Sequence, residues 1–276
     1  MSKGASLPIA LFDSGMGGLT VFKAISQALP KEDLLYLGDT ARLPYGTKGQ
    51  DTIIRYTLKA AKVLADRGIK MLVVACNTAT ANALPALQEE FKDLTILGVV
   101  EPGARAAVKE SKSGHILVIA TEATIKSGVY LSAIKNLRKD ALVSAKACTL
   151  FVALAEEGLM QGKIVEEVAH YYLDEIFLDQ SLGSSPDTMI LGCTHFPLLK
   201  PALEQVVGSK VVVVDPAATV AESVKLELKK QNRLQLSANL GQHHFMTTDN
   251  QERFARTGSL FLGRELKKDE IELVDL

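Results

Sequence analysis

Two cysteines, Cys76 and Cys193, end the same kind of segment. MLVVACNT at 71–78 and TMILGCTH at 188–195 each run from an apolar stretch through a small residue to a cysteine, then into polar residues that open a helix. A free thiol titrates near 8.5, and the positive end of a helix favours its thiolate, so both protonation states are within reach at neutral pH. A thiolate and a thiol on opposite sides of one carbon suit a specific reaction. The thiolate removes a proton from one face, the thiol returns one to the other, and configuration inverts. A C–H beside a carboxylate is a very weak acid, so the reaction also needs groups that hold the developing charge. Hydroxyls and backbone N–H groups at Ser14, Asn77, Thr78, Thr121 and Thr194 are candidates for holding carboxylates and an amine. The third cysteine, Cys148 in KACTLF, lacks this context and reads as a small buried apolar residue.

His195, two residues after Cys193, reads as a proton partner or orienter for that thiol. A metal-ligand role would need further ligands, and no nearby Cys, His or carboxylate pair has standard spacing. With no Cys-x-x-Cys and an odd cysteine count, neither a structural zinc site nor a disulfide framework is indicated. FDSGMGG at 12–18 matches neither a dinucleotide fingerprint nor a P-loop. It reads instead as a tight strand-to-helix turn whose backbone N–H groups can hold a carboxylate, with Asp13 either capping the turn or assisting a thiol. LPYGTKG at 43–49 is a loop, and Tyr45 and Gly46 matter if it closes over a ligand.

The elements that must position these residues are legible as a pattern. Apolar runs at 8–12, 33–38, 70–75, 115–120, 188–192 and 210–215 read as buried parallel strands, and helical periodicity separates them, as at 51–67 and 163–179. Such alternation predicts an α/β fold of two similar lobes, each a mostly parallel sheet flanked by helices, related by a pseudo-two-fold with the site in the cleft between them. The expected first lobe is 1–99 with 210–276, and the second is 100–209. Ligands should sit beyond the carboxyl ends of the strands, where Asp13, Cys76, Thr121 and Cys193 fall.

Composition narrows the partners. The chain has 276 residues, 47% hydrophobic and 23% charged, with a formal net charge of −1. That balance gives no basic footprint for nucleic acid, and the N-terminal apolar stretch is too short for a signal peptide or a membrane span, so a cytoplasmic protein acting on a small molecule is expected.

FDSGMGG, YLGDTARLPYG (36–46), VVACNTATA (73–81), VVEPG (99–103) and LGCTHFPLL (191–199) together closely resemble the glutamate racemases, a family of bacterial cell-wall synthesis. The likeness runs from about residue 8 to 263. It implies interconversion of L- and D-glutamate without pyridoxal phosphate or any other cofactor, two α/β lobes, and a homodimer. It implies Cys76 and Cys193 as the acid/base pair, Cys76 serving D-glutamate and Cys193 L-glutamate, with Asp13 and His195 assisting. It also implies substrate contacts from Asp13, Ser14, Tyr45, Gly46, Asn77, Thr78, Thr194 and His195. Glu156 in FVALAEEG maps to a family glutamate near the second thiol, and Thr121 and Thr124 map to paired threonines. TTDNQERF at 247–254 departs from the family pattern and is expected far from the site. The alternatives are a related two-thiol enzyme acting on aspartate, hydantoins or maleate, and a non-catalytic amino-acid binding protein.

Overall fold

A computed structural model describes residues 4–178 and 184–276. Met1 to Lys3 of the N-terminal segment and Asp179, the end of the helical stretch read at 163–179, lie outside the described residues. In chain order the elements are β1 (Ile9–Asp13), α1 (Leu19–Ala28), β2 (Leu34–Gly38), α2 (Gln50–Asp66), β3 (Met71–Val74), α3 (Asn77–Glu90), β4 (Thr95–Gly98) and α4 (Val100–Glu110). Then follow β5 (His115–Ala120), α5 (Glu122–Lys126), α6 (Val129–Leu137), β6 (Leu142–Ala147), α7 (Leu150–Glu156), α8 (Lys163–Leu178) and β7 (Thr188–Gly192). The chain closes with α9 (Lys200–Val207), β8 (Val212–Val214), α10 (Ala217–Lys230), β9 (His243–Thr247), α11 (Gln251–Leu262) and β10 (Ile271–Leu273).

The strands form two wholly parallel sheets, ordered β10-β9-β2-β1-β3-β4 and β6-β5-β7-β8. Strands β2-β1-β3-β4 and β6-β5-β7-β8 repeat one order, which is the pseudo-symmetry anticipated from the two cysteine segments. Helices cover both faces of each sheet, so the central strands β1, β3, β5 and β7 are buried throughout. Each fully buried Val, Leu or Ile in them stabilises the fold by about 1.5–3 kcal/mol. Two apolar clusters flank the first sheet, one on Phe22, Tyr36 and Phe254, the other on Phe12, Tyr45 and Leu72. Two more flank the second sheet, around Phe151 and Phe196 and around Ile116 and Tyr130.

The return crossing differs from the expected one near Ser209. The run at 210–215 does form a strand, β8, but it hydrogen-bonds to β7 and so belongs to the second sheet. The crossing back lies between Val214 and Ala217, where α10 leaves to pack on α1 and to touch α4. An apolar run predicts burial but not which sheet supplies the neighbour. Among the described residues, no helix is long and apolar enough to cross a membrane.

Because β1 and β3 are adjacent and parallel, as are β5 and β7, the four loaded strand ends emerge on the same side of their sheets.

Candidate active site

Cys76 caps α3: its Sγ accepts from the Ala79 N–H at 3.4 Å and its thiol donates to Ser14 Oγ at 3.4 Å. The helix end nevertheless does not make this thiol acidic. Burial, then the nearby Asp13 carboxylate, push Cys76 up to about 12, outweighing its hydrogen bonds with Ser14 and Ala79. Cys76 rests as a thiol.

Asp13 is fully buried at the end of β1. Its Oδ2 accepts the Gly15 N–H at 2.9 Å, and its Oδ1 accepts Thr194 Oγ1 at 3.3 Å. The FDSGMGG turn therefore does hold a carboxylate, but its own. Burial raises Asp13 from the ordinary carboxylate range, and His195 opposes that rise.

The second thiol has a different setting. Cys193 follows β7, and the helix expected after it is a one-turn 3-10 helix at Phe196–Leu199, carrying Pro197, which leads into α9. His195 Nδ1 stands 3.9 Å from Cys193 Sγ, and its Nε2 stands 3.1 Å from Glu156 Oε1. Burial alone would lower His195, but the bonds to Cys193 and Glu156 raise it to about 10. An imidazolium here places a positive charge beside the Cys193 sulfur. Glu156 is turned by Arg253, whose Nη2 donates to Oε2 at 3.1 Å, and Phe261 packs edge-on against the His195 ring. The 247–254 segment, expected to be remote, thus reaches the site: Arg253 sits one turn into α11 and α11 lies behind His195.

The two lobes meet closely. Thr78 of the first lobe bonds Thr121 and Thr124 of the second at 2.8 and 3.1 Å, and those two bond each other at 2.9 Å. A β-carbon on Gly46 would lie 2.5 Å from Thr121 Cβ, so only glycine lets the 43–49 loop come this near. Between the lobes is a cavity of about 20 Å³, lined by Ser14, Tyr45, Gly46, Cys76, Asn77, Thr78, Thr121, Cys193, Thr194 and His195. That is room for about one water molecule, far less than an amino acid, so this is the closed arrangement. A wider opening of about 370 Å³ shares Gly46 with it and runs between Lys48 and Lys126.

Asp13, Thr124 and Glu156 stand behind this lining, acting through Thr194, the threonine cluster and His195 respectively. Tyr45 lines the cavity, and its hydroxyl hydrogen is already committed to Asp39 Oδ2 at 2.6 Å. Asp39 is the residue that sequence reasoning missed on this side. Fully buried, it also accepts from Arg42 at 2.7 Å and Thr248 at 2.8 Å and so fixes the loop. Its place in YLGDTARLPYG was the available signal. Cys148 is buried among Phe151 and Tyr172, pushed up to about 12 by burial, and does not line the cavity. Among the described residues no three His, Cys, Asp or Glu side chains converge as a metal site.

Comparison with known proteins follows the same lines. The Asp/Glu/hydantoin racemase family profile matches residues 14–224. A glutamate racemase of Geobacter metallireducens is 45% identical over 258 residues, covering 94% of this chain and 93% of the relative. Two solved structures cover 98% of both chains. A glutamate racemase of Bacillus anthracis superposes with TM-score 0.91 at 34% identity, and one of Francisella tularensis in complex with D-glutamate with TM-score 0.89 at 35% identity.

Proposed function

Since the chain belongs to the glutamate racemases, within the Asp/Glu/hydantoin racemase family, we infer that it interconverts L- and D-glutamate without a cofactor, supplying D-glutamate for peptidoglycan. The observation that carries this reading is that two thiols from opposite lobes line one closed cavity. Their surroundings differ: Cys76 is held as a thiol by burial, whereas the His195 imidazolium stands 3.9 Å from the Cys193 sulfur. With Cys193 as the thiolate, it takes the Cα proton and Cys76 delivers one to the other face. By family likeness that is the direction from L- to D-glutamate. The roles exchange in reverse.

The threonine cluster, Ser14, Asn77 and Thr194 offer hydroxyl and amide donors for the substrate carboxylates and for the charge that spreads onto the α-carboxylate as the proton leaves. Asp13 and Glu156 keep Thr194 and His195 in place. Displacing nearly all water strengthens every one of these interactions. The family likeness also supports a homodimer working in the cytoplasm, to be read by sedimentation and by fractionation.

The deciding experiment incubates purified protein with each enantiomer of glutamate in D₂O, with no added cofactor. Solvent deuterium should enter Cα from both enantiomers as the rotation decays to zero. Aspartate, hydantoins and maleate serve as competing substrates. Turnover of one of them in place of glutamate would overturn the glutamate reading, and binding without deuterium uptake would mark a non-catalytic amino-acid binder.

A further inference from the structure

We propose that Tyr130 is a positioning residue that joins the two thiol-bearing turns and aims the Asn77 amide at the substrate carboxylate; the proposal rests on the racemase reading. Tyr130 lies on α6 of the second lobe and is 3% exposed. Its hydroxyl donates to Asn77 Oδ1 at 2.6 Å, crossing to the residue next to Cys76. Its ring meets the other turn. A β-carbon on Gly192, the residue before Cys193, would lie 3.1 Å from Tyr130 Cε2, and one on Gly103 would lie 3.2 Å from the hydroxyl. Tyr130 thus fills space left by two glycines and touches both turns at once.

The hydroxyl also decides which way Asn77 faces. Burial, then the neighbouring Cys193, hold the Tyr130 phenol well above its ordinary range, so it stays neutral and keeps a hydrogen to donate. A buried donor needs an acceptor, and Asn77 Oδ1 provides one. With Oδ1 engaged, Nδ2 has no protein acceptor among the described residues, and Asn77 lines the cavity. Two N–H donors are left for a carboxylate. With the amide reversed, the phenol hydrogen would lose its acceptor and Nδ2 would face Tyr130 instead of the ligand.

The test is a double-mutant cycle on the full chain. Tyr130→Phe keeps the ring against Gly192 and removes only the hydroxyl. It should lower kcat/KM for both enantiomers about tenfold, the effect of losing one well-made hydrogen bond. The thermal midpoint should move by no more than about 4 °C. In an Asn77→Ala background the same change should cost nothing further, because Tyr130 acts through Asn77. Unchanged activity in Y130F, or an equal loss in both backgrounds, would overturn the proposal. Asn77→Asp tests it with Tyr130 intact: the hydroxyl can still donate, but a carboxylate now faces the substrate, so activity should fall below that of N77A. Activity at or above N77A would overturn the proposal as well. Wild-type turnover of glutamate checks the racemase reading independently, and its absence would remove the premise before any variant is made.

Discussion

Gly17 of the first lobe stands against His195 of the second so closely that a β-carbon at residue 17 would lie 2.7 Å from Nδ1, and 2.4 Å from Thr194 Oγ1. Neither neighbour is free to yield, since His195 is held by Glu156 and Thr194 by Asp13.

Gly17→Ala should therefore separate the lobes or tilt the imidazole away from Cys193. We expect kcat/KM to fall by at least about tenfold, the equivalent of about 1.4 kcal/mol of lost transition-state stabilisation. The alkaline limb of the pH profile should shift along with it. Wild-type kinetics with an unchanged profile would show that the contact does not control the site.

Cys76→Ala and Cys193→Ala should each abolish interconversion, because neither thiol reaches the face served by the other. Steady-state polarimetry from both enantiomers reads this directly. Substantial two-way activity in either variant would refute the two-base scheme.

The His195 pair should also appear as pH-dependent stability. Against the effect of burial, the bonds to Cys193 and Glu156 push folded His195 up to about 10, above the ordinary imidazole value of 6.5. Below 6.5 both folded and unfolded chains carry the proton, and the stabilisation is complete. As pH climbs from there towards 10 only the folded state keeps it, so the contribution declines and is gone beyond. Melting curves of wild type and His195→Gln should accordingly converge with rising pH. A gap that stays constant or widens would contradict the pairing.

Far from the cleft, at the opposite end of β3, Lys70 and Glu32 form a buried ion pair that also ties in the Ala5 and Arg233 carbonyls. Lys70→Met leaves the Glu32 carboxylate buried without its cation and should cost about 3–5 kcal/mol. Replacing both partners with apolar residues should recover much of that loss. Chemical denaturation measures both, and kcat/KM of the surviving folded enzyme should be close to wild type.

Much of this fold was legible because buried parallel strands announce themselves. All six apolar runs became strands. Strands β4, β6, β9 and β10 were less visible, each for a local reason. β6 is LVSAKA, half-exposed at a sheet edge, and β9 opens on two exposed histidines. β4 and β10 are the edge strands of the first sheet, β4 buried only at alternate residues and β10 only at Ile271. The thiols, Asn77, Thr78, Thr121, Thr194 and His195 were visible because they come just after strands, whereas Thr124, inside α5, was named only through the family resemblance. Arg253, Phe261 and Tyr130 were not, since each reaches the site from a helix whose sequence records only its own buried face. The acidity of Cys76 was misjudged for a related reason: a helix start can be read from sequence, but the burial and the Asp13 charge that outweigh it come from tertiary contact.

On the proposed two-thiol mechanism, the near absence of free space between Cys76 and Cys193 gives this enzyme a memory. Every turnover exchanges the protonation of the two thiols, and while the lobes are shut there is no bulk water in which to undo the exchange. A molecule that has just released one enantiomer is thus poised to take back that same enantiomer. It recovers its choice only when the cleft has stood open long enough for the thiols to trade protons with solvent.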